Sequence, residues 1–237
     1  MSESDRNLLL RAAGAQRGRG ALTNDDGRFE PYSHEAVDDG WGSADEPLPV
    51  RKTTVQTDHA RSVIVRQKSP DIPFEQSVNP YRGCEHGCVY CYARPSHAYL
   101  GLSSGLDFET KLFAKTDAAK RLTEELSRPG YRPAPIAFGT NTDPYQPLER
   151  RMRIMRSLVE VLAACEHPLT IVTKSALVER DIDLLAPMAQ KNLVRVYVSV
   201  TTLDRRIART LEPRAAAPQR RVETIRALAE AGVPVGV

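Results

Sequence analysis

From Phe74 onward, short β-branched runs alternate with longer stretches of helical periodicity, and this alternation restricts the fold of the 237-residue chain more than any other feature. The runs are Ser77–Arg82, Ile136–Gly139 (IAFG), Leu169–Thr173 (LTIVT), Val194–Val200 (VRVYVSV) and Val233–Val237 (VPVGV). Helical stretches lie between them at about Asp117–Ser127, Gln146–Cys165, Ile182–Gln190 and Pro218–Ala231. In the second stretch Leu148, Met152, Met155, Leu158, Val159 and Leu162 recur at three- and four-residue steps, which places them on one helix face. Near-continuous apolar strands are buried on both faces, and strands joined through helices form parallel sheets with right-handed crossovers. The expected class is α/β: a partial TIM-like (β/α) barrel of parallel strands, with an open doubly wound sheet as the variant. The chain stops inside its last run, at Val237, so the barrel is read as incomplete on its C-terminal side.

In either arrangement ligands sit at the carboxyl ends of the strands. The polar segments of interest all fall there. A cysteine loop follows the first run, TNTDPYQ the second, TKS the third and TTLD the fourth. Upstream, residues 1–49 read as a poorly ordered, flexible tail, because their apolar residues are too scattered to form a periodic face. The RGRG stretch at Arg17–Gly20 is read as part of that solvated tail. Residues 50–73 carry VRKTTVQT and RSVIVRQK around Asp58-His59-Ala60, read as a short hairpin that leads into a core at 74–237.

A net charge of +3 is too small to argue a nucleic-acid partner from the total. Six arginines between Asp204 and Arg221, and Arg150, Arg151, Arg153 and Arg156 on one helix, read first as solvated faces and second as a phosphate-facing patch. No apolar run approaches the ~20 residues that span a membrane, and Leu8–Leu10 is too short for a secretory segment. Four cysteines, three of them clustered, suit a reducing cytoplasm and a metal centre better than a disulfide framework.

The clustered three are Cys84, Cys88 and Cys91 in CEHGCVYC, spaced Cys-x3-Cys-x2-Cys. Zinc, an iron–sulfur cluster and a nucleophile are all open to them. Zinc wants a fourth ligand, for which His86 and His97 are the candidates. A four-iron cluster held by three thiolates keeps one iron open to an external ligand, and Gly83 and Gly87 would let the backbone wrap it closely.

CEHGCVYCY resembles the signature of the radical S-adenosylmethionine superfamily, with the aromatic Tyr90 just before the last cysteine. NPYRGCEHGCVYCYARP, SVTTLD, LEPRAAAP and IRALAEAGVPVGV together resemble its spore photoproduct lyase-like branch, over about residues 76–237. RGRGA followed by GRFEP resembles one bacterial group within that branch. The resemblance implies that Cys84, Cys88 and Cys91 bind a [4Fe–4S] cluster whose fourth iron is chelated by S-adenosylmethionine. One electron from a flavodoxin- or ferredoxin-type reductant would then cleave the cofactor to methionine and a 5′-deoxyadenosyl radical, which abstracts hydrogen from a substrate. It further implies that Lys174 meets the cofactor's carboxylate, that Ser199 meets the ribose, and that Tyr90 and Tyr92 flank the adenine. Thr142 and Asp143 follow strand two as further cofactor contacts, although Asp143-Pro144 equally reads as a helix start. No side chain is assigned catalysis beyond the cluster. His86 is read as shielding the cluster, and Cys165 as a core thiol.

A nucleic-acid substrate follows only by analogy, for lyase or transferase-like chemistry. Photoproduct lyases carry a hydrogen-donating cysteine just after strand two. The matching place here holds Thr140, whose O–H is a poorer donor than S–H, so the resemblance does not extend to photolesion reversal. The alternative reading is a non-catalytic, zinc-stabilised nucleic-acid-binding protein.

Overall fold

The computed structural model describes residues 19–25, 29 and 52–237, and within them the expected alternation is present. The strands are β1 (Thr54–Thr57), β2 (Val65–Arg66), β3 (Gln76–Val78), β4 (Tyr81–Arg82), β5 (Lys111–Ala114), β6 (Ile136–Phe138), β7 (Leu169–Thr173), β8 (Val194–Val198) and β9 (Val235–Gly236). Six of them form one sheet in the order β2-β3-β6-β7-β8-β9. From β3 to β9 every pairing in that sheet is parallel, with Ala137 opposite Ser77 and Thr170, and Val196 opposite Ile171 and Val235. The helices are α1 (Leu106–Thr110), α2 (Ala118–Leu126), α3 (Glu149–Met152), α4 (Ile154–Ala164), α5 (Ile182–Gln190), α6 (Arg205–Leu211) and α7 (Pro218–Glu230). The result is a partial (β/α) barrel.

Its core lies between sheet and helices. Phe138, Ile171, Val196 and Val198 from the strands meet Leu122, Leu158, Leu162, Leu185 and Leu228 from the helices, and all are wholly buried. Each such side chain contributes about 1.5–3 kcal/mol relative to exposure, so the periodic faces read from the sequence supply most of the packing energy. Among the described residues no helix is long and apolar enough to cross a membrane.

Several expectations are corrected. Pro80 divides the first strand: Gln76–Val78 joins the large sheet, while Tyr81–Arg82 pairs antiparallel with β5. Proline lacks the amide hydrogen that would continue one ladder. The hairpin at 50–73 does not form. β1 instead pairs parallel with β5, and β2 pairs antiparallel with β3 at the edge of the large sheet. The reason lies at Val63 and Ile64, consecutive residues that are both buried, which an alternating strand does not allow. Glu125 holds this plug, accepting from Val63 N at 2.6 Å and Ser62 Oγ at 2.9 Å.

The long second helix is interrupted at Arg153, which takes a left-handed conformation (φ 54°) between α3 and α4. Buried Glu149 stabilises the break: its carboxylate accepts from the first free amides of α4, Met155 N at 3.0 Å and Arg156 N at 3.3 Å. The expected apolar face survives, with Met155, Leu158, Val159 and Leu162 wholly buried. Most of the tail reading for residues 1–49 lies outside the described residues. Within it, residues 19–25 are docked rather than solvated: Arg19 donates to Glu109 O (2.9 Å) and Thr53 Oγ1 (3.0 Å).

Candidate cofactor site

Irregular backbone carries the three clustered cysteines, so its shape depends on contacts from elsewhere. Cys84 N donates to Phe108 O (3.0 Å), Val89 N to Leu211 O (3.0 Å), and Arg214 N to His86 O (3.2 Å). Gln146, wholly buried, braces the loop from the segment after β6: its Oε1 accepts from Glu85 N at 2.9 Å and its Nε2 donates to Gly83 O at 3.1 Å. Gly83 and Gly87 have φ of 77° and 67°. A Cβ on Gly83 would stand 2.7 Å from Leu112, and one on Gly87 would stand 2.8 Å from Glu109, so neither turn tolerates a side chain.

Cys84, Cys88 and Cys91 are all free thiols, the first two buried and the third half-buried. Burial pushes the Cys88 thiol up to about 11, opposed by the nearby positive charge of Lys174. Burial, and then the charge of Asp143, push Cys84 higher still. Buried thiols clustered in one loop need either an apolar role or a metal that takes their protons. Among the described residues no three His, Cys, Asp or Glu side chains converge on one point as a single ion requires. Three thiols on one loop are nevertheless the donor chemistry that an iron–sulfur cluster takes. His97 is wholly buried, stacks edge-on against Phe108 and shares Nε2 with Lys111 O at 2.9 Å; its place is in the packing under the loop.

The carboxyl ends of the strands bring the other candidates to the same rim. Lys174 follows β7, half-buried, with Nζ 5.9 Å from the centre of the Tyr90 ring. Among the described residues no carboxylate lies within ion-pair distance of it. Ser199 follows β8, its amide donates to Thr173 O (2.9 Å), and among the described residues its Oγ has no hydrogen-bond partner. Tyr90 donates its hydroxyl to Glu212 and also meets Thr201 Oγ1 at 3.3 Å. Burial and the Glu212 carboxylate hold that phenol protonated. Tyr92 is 76% exposed and donates its hydroxyl to Thr140 O.

Thr142 and Asp143 are at the rim, but their side chains are engaged within the protein. Thr142 Oγ1 donates to Tyr81 O at 2.9 Å. Asp143 accepts from Tyr145 N (2.9 Å), Thr173 Oγ1 (2.7 Å) and Lys174 N (2.7 Å), which ties the ends of β6 and β7 together. His86 Nδ1 lies 3.3 Å from Asp143 Oδ2, a close contact outside good hydrogen-bond angles. Burial alone would raise the Asp143 pKa, but the His86 ring and these donors outweigh it and hold the carboxyl below its ordinary range. The helix start read at Asp143 is thus a turn, and the helix that follows β6, α3, begins at Glu149. Cys165 is corrected from core thiol to an exposed residue that ends α4.

Glu212 has no role in the sequence reading, and Arg221, read there among six arginines of a solvated or phosphate-facing face, is corrected to a buried residue. Both are buried, and Arg221 donates to Glu212, Ser199 O (2.9 Å) and Ala216 O (2.7 Å), so the pair supports Tyr90 and Ser199 together. A signal existed: Arg221, Thr224 and Leu228 share one buried face of α7.

A family profile described as "Radical SAM superfamily" matches residues 78–237. Uncharacterized proteins of Mycobacterium tuberculosis and Mycobacterium bovis are 44% identical over 162 residues, which cover 68% of this chain and 48% of theirs. The chain therefore spans about half the length of these curated relatives. Among solved structures, spore photoproduct lyase complexed with dinucleoside spore photoproduct aligns with a TM-score of 0.53 at 17% identity, covering 76% of this chain and 49% of that one. A lyase variant with bound AdoMet and dinucleoside spore photoproduct aligns with a TM-score of 0.52 at 18% identity, covering 76% and 48%. At that identity the likeness concerns the fold.

Proposed function

The chain belongs to the radical SAM superfamily, and from that premise we propose that it is a [4Fe–4S] enzyme whose cluster is held by Cys84, Cys88 and Cys91. The superfamily implies an iron–sulfur cluster, S-adenosylmethionine and an electron donor. The observation that carries the finer reading is one loop of three free thiols at the strand-end rim, beside a lysine that has no carboxylate partner among the described residues. When bound, cluster and cofactor supply reductive cleavage of the sulfonium and a 5′-deoxyadenosyl radical that abstracts hydrogen.

The protein's own part is to bind, orient and shield. Lys174 offers a charge-assisted hydrogen bond to the cofactor's carboxylate. Ser199 Oγ is available to a ribose hydroxyl, and Tyr90 and Tyr92 flank the adenine. Asp143 and Thr142 serve the site through position: Asp143 fixes the Lys174 backbone, and Thr142 fixes the strand that leads into the cysteine loop. His86 shields the cluster from within the loop. The electron comes from a flavodoxin- or ferredoxin-type donor in a reducing, cytoplasmic setting.

For substrate we favour nucleic acid, in lyase or transferase-like chemistry that begins with hydrogen abstraction. The support is a cleft of about 530 Å3 lined by Arg205, Arg206 and Arg209 beside Glu212. Among the described residues these three guanidiniums have no carboxylate partner, whereas Arg156 and Arg220 are committed to ion pairs. Thr140 supplies no S–H bond, and its hydroxyl already meets Asn79 Nδ2 at 3.1 Å, so lesion reversal by a returned thiol hydrogen is not part of the proposal.

The deciding experiment is anaerobic purification with iron, sulfide and zinc analysis, followed by a 5′-deoxyadenosine assay with dithionite and no substrate. The expected result is a brown protein with about four irons per chain and slow cofactor cleavage. A colourless protein with about one zinc per chain would establish the zinc-stabilised binding protein instead.

A further inference from the structure

Glu109 in α1 is wholly buried, and its carboxylate is shared by two segments that flank the cysteine loop. It accepts from Arg94 Nη2 at 2.6 Å, and from Gly20 N and Ala21 N at 3.1 and 2.8 Å. Arg94 in turn directs Nε and Nη2 onto the carbonyl of Cys88, at 3.1 and 2.9 Å, and Nη1 onto Gly105 O at 3.1 Å. The middle cysteine is therefore held by its own peptide, through a mostly buried guanidinium (side chain 12% exposed) and a buried carboxylate. Such a pair is tolerated only when its hydrogen bonds are complete, and the amides of residues 20 and 21 complete this one.

The segment at 19–24 does more than supply two amides. Thr23 O accepts from Leu106 N (3.1 Å), and Asn24 Oδ1 accepts from Asp107 N (2.8 Å). Gly20 lies directly on the loop: a Cβ there would stand 1.7 Å from Gly87 O and 3.3 Å from Val89 Cγ1, the residues on either side of Cys88. Only glycine permits that approach.

We propose that Arg94 and Glu109 are positioning residues for Cys88, and that residues 19–24 complete the same clamp as a strap across the back of its peptide. The proposal rests on the reading of Cys84, Cys88 and Cys91 as cluster ligands. It gives Gly20, the second glycine of the RGRGA stretch, a role: the strap holds an irregular loop in the shape that presents the middle thiolate.

The test uses the full chain, comparing wild type with Gly20→Val, Asn24→Ala, Glu109→Gln and a control, Leu22→Ala, at a residue 46% exposed. In the metal-free protein, iodoacetamide labelling of Cys88 is read by peptide mass spectrometry against exposed Cys165 as internal reference. Gly20→Val and Asn24→Ala should raise the Cys88-to-Cys165 ratio about tenfold, equivalent to about 1.4 kcal/mol of easier local opening, and Leu22→Ala should not. Glu109→Gln should shift it in the same direction. After anaerobic reconstitution, the first two variants should retain less iron and show an altered electron paramagnetic resonance line shape for the reduced cluster. Asn24→Ala introduces no clash, so it decides the matter if Gly20→Val does not fold. Wild-type labelling and line shape in Asn24→Ala overturn the clamp. A wild-type chain that holds no iron overturns the cluster reading instead, and the labelling ratio then judges the clamp alone.

Discussion

Replacing Glu212 with glutamine tests how far the rim depends on one buried ion pair. Glu212 is 3% exposed and Arg221 1%, and the carboxylate takes donors from Arg221, Thr201 and Tyr90. Glutamine keeps the volume but removes the charge, so Arg221 is left with neutral acceptors only, among them the carbonyls of Ser199 and Ala216. Breaking a buried pair by removing one partner costs about 3–5 kcal/mol, against a net domain stability of about 5–15 kcal/mol. Urea unfolding of the metal-free chain should therefore show a lower midpoint with an unchanged slope. The double variant Glu212→Gln/Arg221→Met should recover much of the loss, because no buried charge is then left unpaired. Titration adds a second check. Burial would raise the Glu212 pKa, but Arg221, Thr201 and Tyr90 hold it below 4.5. A depressed carboxyl contributes stability above its unfolded value and loses it as pH falls through the folded value. The wild-type advantage over Glu212→Gln should thus shrink below pH 4.5. A single variant destabilised by under ~1 kcal/mol, with the same acid profile as wild type, would refute the argument, since that is the scale of an exposed pair.

Alanine at Cys84, Cys88 or Cys91 should abolish bound iron and the brown absorption, whereas Cys165→Ala, at an exposed helix end, should leave both intact. Lys174→Ala should weaken S-adenosylmethionine binding in calorimetric titration by about 1–3 kcal/mol, with the cluster spectrum unchanged; equal affinity would put Lys174 outside the cofactor contacts. The Cys88 thiol is raised from 9.0 to about 11, so the metal-free fold favours its protonated form. Stability of the metal-free chain should fall as pH rises from 9.0 to about 11, and Cys88→Ala should remove part of that slope in thermal melts. By the same linkage, cluster loading should release protons, measurable with a pH indicator in weak buffer.

The parallel sheet was legible because its strands are written locally, as apolar runs such as LTIVT and VRVYV separated by helical periods, although burial alternates along both strands, with Val172 and Arg195 exposed. Those runs became β7 and β8 almost to the residue, and Ile182–Gln190 became α5 without change. The cysteine spacing was legible for the same reason, since Cys84, Cys88 and Cys91 lie close together in the chain. What the tertiary structure decided depends on partners far apart in the chain. The runs at 50–73 have strand composition, but only the edges available at β5 and β3 determine which strand each one joins. Asp143 reads as a helix cap until β7 places Thr173 and the Lys174 amide against it, 30 and 31 residues away. The docking of residues 19–25 was hidden most completely. Its mostly polar composition has the local character of a solvated tail, and its hydrogen bonds run to Glu109, 89 residues on from Gly20. Periodicity records which face of an element is buried, whereas a buried carboxylate that draws in a distant backbone leaves no period to read.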